Sequence, residues 1–384
     1  MAANYYMPTR ICFGKEAVKD LQRFLNDSDR VLIVTDKGLQ KAGIVDKIVE
    51  VLECIGCRQE VYDDVEVNPR PQTVEKCLAK TEALKATAVI GLGGGSPLDV
   101  AKIVSALATN EGKLEDYQWN GQKFMKAALP FIAIPTTAGT GSEVTRISVI
   151  VDRNVKKGIV DDRLYPTVAI VDPILMATLP SHLTSTTGLD AFTHAVEAYV
   201  GLGANSFSDA FAMRAIRLLI EYLPKAFANG DDLYAREQVA KASTLAGIAM
   251  DQAGLGIIHA MSSPAASYYD IAHGLSNAVL LPHGMRFNVI ACPEKLAQVA
   301  HSFGINVTGM SAKEAAYRGV EAVEGFCREL QAPVTYEGYS PTLEQIERFG
   351  REAAATLLAR NNPRKVKPED CVEIFKRVFS IAKS

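Results

Sequence analysis

Ala88-Val-Ile-Gly91-Leu-Gly93-Gly94-Gly95-Ser96-Pro97-Leu-Asp99-Val-Ala-Lys102 reads as a strand, a glycine loop and a helix in direct succession, and that succession decides the fold class. The Ala88–Leu92 run is apolar throughout, as a strand covered on both faces of a parallel sheet should be. Glycines lack a Cβ, so their N–H groups can approach a phosphate closely, and a helix N-terminus adds about half a positive charge there. Ser96 is placed to cap the helix, and Pro97 suits its first turn. A tight strand-to-helix turn without a ligand is the plain alternative, but three consecutive glycines exceed what a turn needs. The loop departs from the G-x-G-x-x-G fingerprint in having Ser96 where the last glycine would stand. Gly93, Gly94, Gly95, Ser96 and Asp99 are the candidate cofactor residues of this stretch.

Working outward, similar short runs recur at Val31–Thr35, Phe131–Ile134, Ile147–Asp152 and Thr167–Asp172. Amphipathic segments such as Lys41–Leu52 and Pro71–Leu84 separate the earlier ones, and strands alternating with helices imply βαβ units. Beyond Pro180 the strand-like runs stop. Helices are predicted at Asp190–Val200, Asp209–Leu223, Ala235–Asp251, Leu275–Leu281, Ala312–Leu330, Leu343–Leu358 and Glu369–Ala382, with Ser181 and Ser208 as starts and Gly201 as a stop. The chain therefore reads as an α/β, Rossmann-like dinucleotide-binding domain over residues 1–180 and an all-α metal-binding domain over residues 181–384. Ligands of such two-lobed proteins are expected in the cleft between the lobes.

Composition narrows the function. Among 384 residues, 41 basic side chains face 44 acidic ones, a formal net charge of −3. That balance leaves no footprint for nucleic acid or an anionic membrane. No apolar run approaches the ~18 residues of a bilayer span, and the opening residues lack a basic start followed by an apolar stretch. Seven scattered cysteines, an odd number, argue against a disulfide framework, and Cys54-Ile-Gly-Cys57 is a lone pair without a partner motif. The expectation is a cytoplasmic protein that handles small molecules.

Two further loops extend the cofactor reading. Asp36 follows the strand Val31–Thr35, where a carboxylate can accept hydrogen bonds from a ribose diol and repel a 2′-phosphate. It precedes the glycine loop, whereas the usual acid follows it by about 20 residues, so the order is not the standard dinucleotide one. Pro135-Thr136-Thr137-Ala-Gly-Thr-Gly-Ser-Glu143-Val-Thr145 is a second small-residue loop whose hydroxyls could line a ribose or nicotinamide.

The histidines point to a metal. Asp190 and His194 are four apart, which puts both on one helix face about 5–6 Å apart at Cβ. His259, His273 and His283 follow in or beside apolar helical segments. One oxygen with two or three imidazole nitrogens suits a borderline divalent ion, Zn²⁺ or Fe²⁺, and spacing alone does not select it. Packed core histidines are the alternative.

The glycine loop, the Pro135–Glu143 loop, Gly188-Leu-Asp-Ala-Phe-Thr-His-Ala-Val-Glu-Ala-Tyr199 and His273-Gly-Leu-Ser-Asn-Ala-Val-Leu-Leu-Pro-His283, taken together and in order, resemble the iron-dependent (group III) alcohol dehydrogenase family. The resemblance implies the same two-lobed fold, with Asp190, His194, His259 and His273 holding a divalent iron. It implies that Gly93–Ser96 holds the cofactor pyrophosphate, that Asp36 selects NAD, and that Asn68, Thr136, Thr137, Thr145 and Lys157 make further NAD contacts. One departure stands out. Family members usually carry a histidine four residues after the third ligand, and here that place is taken by Ser263. The residue would lie by the nicotinamide as a proton relay, which leaves Ser263 or His283 as the candidates for that task.

The implied activity is an NAD-dependent, iron-containing alcohol dehydrogenase working mainly as an aldehyde reductase, built as a homodimer or higher homo-oligomer. Ser262, Ser263 and Ser267 suggest a short polar aldehyde, including an anionic one such as sulfoacetaldehyde, and Arg146 or Arg364 could meet its charge. The alternatives are a polyol-phosphate dehydrogenase or a lyase resembling dehydroquinate synthase on the same fold.

Overall fold

The apolar runs of the first half become strands because both their faces are covered. In the computed structural model, which describes residues 4–153 and 155–380, the strands are β1 (Arg10–Phe13), β2 (Arg30–Val34), β3 (Arg58–Tyr62), β4 (Ala88–Gly93), β5 (Phe131–Pro135), β6 (Ile147–Asp152), β7 (Val155–Val160) and β8 (Val168–Val171). Six of them form one sheet in the order β1-β8-β5-β4-β2-β3, with every pairing parallel. From β2 the chain steps out to β3, then returns past β2 to β4 and continues to β5. Right-handed connections running in opposite directions place their helices on opposite faces. Accordingly, Val31, Ile33, Ile90 and Ile132 share a core with Ile44, Ile48 and Leu52 of the Ile44–Ile55 helix. Leu32, Val34, Val89 and Ala133 point the other way, into a core with the Pro71–Leu84 and Gly95–Leu107 helices. The reversal opens a crevice beyond the carboxyl ends of β2 and β4, the place where open α/β sheets take ligands.

The two edge strands, β1 and β3, have no counterpart among the predicted runs. β3 reads Arg-Gln-Glu-Val-Tyr and is only partly buried, so its hydropathy looks like a loop. Ile147–Asp152 is a strand as expected, but it pairs antiparallel with β7 outside the main sheet. Ser96 does not cap its helix. Gly94 is the N-cap, without a side-chain cap, and Ser96 lies inside the first turn.

The chain divides into two compact units, Tyr6–Thr178 and Leu179–Ser384 with Met1–Tyr5. The second is helical among its described residues, and its long elements include Ser181–Val200, Ser206–Ala228, Leu233–Ala253, Ile257–Tyr269 and His273–Asn288. The second of these starts earlier than Ser208: Asn205 accepts from the N–H groups of Phe207 and Ser208, and Ser208 completes a capping box. The Ile257–Tyr269 helix was hidden by Pro264 and three serines. The predicted Leu343–Leu358 helix is interrupted at Thr356, whose extended backbone ends one helix and caps the next turn. The last helix is Pro368–Val378, and the end of its predicted span, 381–382, lies outside the described residues. Among the described residues no helix is long and apolar enough to cross a membrane.

Candidate metal centre and cofactor loops

At the crevice of the first unit, β4 runs into the glycine loop with Gly93 at φ 150°. A Cβ there would lie 2.7 Å from Pro97 Cγ, so only glycine fits. The second loop packs directly on the first. Thr136 N–H donates to the Gly93 carbonyl at 3.0 Å, and a Cβ on Gly95 would meet Thr140 Cγ2 at 3.0 Å. Beneath them, the fully buried Lys102 donates to the Ser142 and Ile147 carbonyls and to the Ser142 hydroxyl. Thr145 is buried in the same cluster, 3.3 Å from the Lys102 ammonium. Asp99 uses one carboxylate oxygen on Ser142 Oγ and the other on Val149 N–H, tying the helix to β6. Asp36 caps the short Lys37–Lys41 turn, with one oxygen accepting from Gly38 and Leu39 N–H. Asn68 adopts a left-handed backbone (φ 58°), and the Lys157 ammonium lies 4.0 Å over the Trp119 ring.

In the helical unit, three helices deliver four ligand-type side chains to one place. Asp190 and His194 come from the Ser181–Val200 helix, His259 from Ile257–Tyr269, and His273 from the first position of His273–Asn288. Their ligand atoms all lie within 4.8 Å of one another. Asp190 Oδ1 is 3.7 Å from Nε2 of His194 and of His259, and 3.9 Å from Nε2 of His273. The helices approach closely because Gly274 follows His273: a Cβ there would sit 2.5 Å from the Thr186 carbonyl. Asp190, His194 and His259 are buried, whereas the His273 side chain is 37% exposed, so the cluster opens to solvent on that side. Burial alone would raise the Asp190 carboxyl, but His194, His273 and His259 outweigh it and hold it well below the usual carboxylate range. Burial likewise opposes charge on His259, yet Asp190 and Glu197 raise it.

The donor set fits a borderline divalent ion. The His259 Nδ1 lies 2.6 Å from a carboxylate oxygen of Glu197, so the ring's proton is held there and Nε2 is turned to the cluster. Asn277 Nδ2 donates to Asp190 Oδ1 at 2.6 Å and lies 2.9 and 3.2 Å from Nε2 of His259 and His273. Its buried Oδ1 has no partner. The Asp190 carboxylate and the imidazole nitrogens thus converge on one point, with the Asn277 amide hydrogen-bonded among them.

The chain matches the model for iron-containing alcohol dehydrogenase over residues 8–173 and the C-terminal model of the Fe-containing alcohol dehydrogenase family over residues 184–379. It belongs to the iron-containing alcohol dehydrogenase family. It is 37% identical over 380 residues to an NAD-dependent methanol dehydrogenase of Bacillus methanolicus, covering 98% of this chain and all of that one. A crystal structure of 1,3-propanediol oxidoreductase superposes with TM-score 0.95 at 39% identity, over 99% of this chain and 100% of the other. Sulfoacetaldehyde reductase from Bifidobacterium kashiwanohense in complex with NAD⁺ gives 0.90 at 28% identity, with both chains fully covered. The chain is accordingly an alcohol oxidoreductase.

Two residues that the sequence reading passed over stand beside the cluster. Glu197 lies seven residues after Asp190 and three after His194, and Asn277 lies four after His273. Helical spacing could have revealed both. Other candidates are placed elsewhere. His283 is ten residues beyond His273 on the same helix, about 15 Å along its axis. It responds first to burial, which lowers its pKa, and then to Glu324, Arg377 and Arg286. It therefore lies apart from the four clustered side chains. Ser262 is fully buried, with its hydroxyl 3.5 Å from His273 Nδ1, so it leaves the expected serine wall. Ser263 stays half-buried, and its hydroxyl donates to the His259 carbonyl at 3.5 Å. Arg146 pairs with Asp162 at 2.7 Å, and Arg364 lies 3.9 Å over the Phe287 ring while donating to the Phe287 carbonyl. Cys54 is exposed and Cys57 buried, and both thiols are free.

Proposed function

We propose that the chain is an NAD-dependent aldehyde reductase and alcohol dehydrogenase that holds a divalent iron on Asp190, His194, His259 and His273 and acts on short aldehydes. The convergence of those four side chains within 4.8 Å carries the reading. When bound, the cation supplies Lewis acidity to the substrate oxygen and the nicotinamide supplies the hydride.

The protein's own share is binding and orientation. The N–H groups at the start of the Gly95–Leu107 helix hold the pyrophosphate, since Gly93, Gly94 and Gly95 let it approach and the helix end is positive. Asp36 keeps one carboxylate oxygen for the adenosine ribose while the other caps the following turn. Thr136, Thr137, Thr145, Asn68 and Lys157 complete the cofactor contacts, and Lys102 keeps the second loop in register from below. On the metal side, Asn277 and Ser262 orient the ligands. The Ser263 hydroxyl takes the place of the family's relay histidine, so protons pass through water beside it. Arg146 pairs with Asp162 and Arg364 packs on Phe287, which leaves the Ser263 and Ser267 hydroxyls, rather than a cation, as the polar groups of the proposed wall. A short neutral aldehyde, with room for a polar end, is therefore the better substrate. Zn²⁺ in place of Fe²⁺, and a homodimer, are compatible with this reading.

Anaerobic reconstitution with Fe²⁺, with Zn²⁺ and without metal, followed by NADH oxidation over small aldehydes, tests it. Metal-dependent turnover is expected, with butyraldehyde preferred to sulfoacetaldehyde in kcat/KM. Absence of NADH consumption with every metal overturns the proposed activity, and a preference for sulfoacetaldehyde overturns the neutral-substrate reading alone.

A further inference from the structure

Glu197 is 1% exposed, inside a helix, and both its oxygens are engaged by one neighbouring element. One oxygen accepts from Ile258 N–H at 2.6 Å. The other accepts from His259 Nδ1 at 2.6 Å and, at 3.4 Å, from His259 N–H. Just before them, Ile257 N–H donates to Asn362 Oδ1 at 3.2 Å. The opening N–H groups of the Ile257–Tyr269 helix are thus met by side chains from distant parts of the chain. Gly256 permits this. A Cβ there would sit 3.0 Å from a Glu197 oxygen and 2.9 Å from Asn362 Oδ1.

An ionised carboxylate only accepts hydrogen bonds. Facing Nδ1 at 2.6 Å, it holds an imidazole proton on Nδ1 and turns Nε2 toward the cluster. Carboxylate partners of this kind fix the tautomer and ring orientation of a histidine ligand and raise its basicity. The same carboxylate caps the helix that carries the histidine, so ligand geometry and helix start depend on one group.

We propose that Glu197 is the positioning residue of the metal centre, setting the tautomer and aim of His259 while it fastens the start of the helix that bears it. The inference rests on the reading that Asp190, His194, His259 and His273 hold a divalent metal. Glu197→Gln separates the two tasks. Its amide offers one acceptor and one N–H₂ where the carboxylate offered two acceptors. With the acceptor kept on Ile258 N–H, the N–H₂ faces Nδ1, and the imidazole proton moves to Nε2, into the ligand cluster.

Zn²⁺ titration of the full-length chain against a chelator, with ¹⁵N NMR of the histidine rings, reads this out. Glu197→Gln is expected to weaken Zn²⁺ binding by about 10–100-fold, to shift the proton of the neutral His259 ring from Nδ1 to Nε2, and to leave the melting temperature of the metal-free protein near that of the parent. Asn362→Ala, which removes a cap from the same helix without touching an imidazole, is expected to lower that melting temperature and spare Zn²⁺ affinity. Parent-like Zn²⁺ affinity in Glu197→Gln overturns the positioning role, as does a loss matched by equal destabilisation of the metal-free protein. If the parent itself fails to bind Zn²⁺ at this cluster, the metal reading falls, and the inference with it.

Discussion

Asp190 and His194 show what one residue pair reveals: separated by four positions, they must share a helix face, whatever the rest of the chain does. Glu197 extends that face by three, yet its spacing alone does not say that it turns to His259 rather than to a metal. The ligand set leads to a first prediction. His194→Ala should leave the helices intact but abolish stoichiometric metal, and kcat/KM should fall about a thousandfold, roughly 4 kcal/mol at 1.36 kcal/mol per decade. Metal analysis with steady-state kinetics checks it, and a metal-replete, active variant contradicts it. His283 supplies the opposite case. Because the helix carries it about 15 Å beyond His273, His283→Ala is expected to leave the pH–rate profile in place. A displaced acidic or basic limb would return it to the proton path.

Among the elements, the strand-to-helix joint at Gly93 joins conformation to function most tightly. Its φ of 150° and the 2.7 Å approach of Pro97 leave no room for a side chain. Gly93→Ala should therefore cost about 1–3 kcal/mol of stability and raise the KM for NAD more than it lowers kcat. Urea titration and initial-rate kinetics measure the two effects, and an unchanged variant would mean that the loop accommodates a Cβ. The joint was legible because glycine runs and β-branched runs are local signals. The cap was not, since Ser96 and Gly94 are both plausible first residues and Thr137 and Thr140, brought alongside by β5, decide how close the loop lies. β3 was illegible for a related reason: an edge strand with polar residues becomes a strand only once β2 offers it a ladder.

At the scale of the molecule, metal and folding are linked. An ion bound by the native cluster and not by the unfolded chain stabilises by about 2.7 kcal/mol at a hundredfold excess over Kd. Chelation should thus lower the melting temperature, chiefly for the three helices that meet at the cluster. Protons and cation compete for the same lone pairs, and Asp190 and Glu197 raise His259 above its ordinary value. Competition therefore begins above the usual histidine range, and affinity should tighten as pH rises through it. Chelator-competition Kd values across neutral to alkaline pH check the sign, and a flat profile contradicts it. By itself the sequence determined what depends on near neighbours: the alternation of strands and helices, the glycine loop, and the paired acid and histidine on one helix face. Those follow from dihedral freedom, side-chain period and hydrophobic burial along a few turns of chain. Only the tertiary structure decided the reversal of strand order that opens the crevice, the meeting of His259 and His273 with Asp190, and the turn of Glu197 and Asn277 toward them. These depend on which distant faces bury each other, and the packing of Gly274 and Gly256 against remote backbone and side chains sets how near they come.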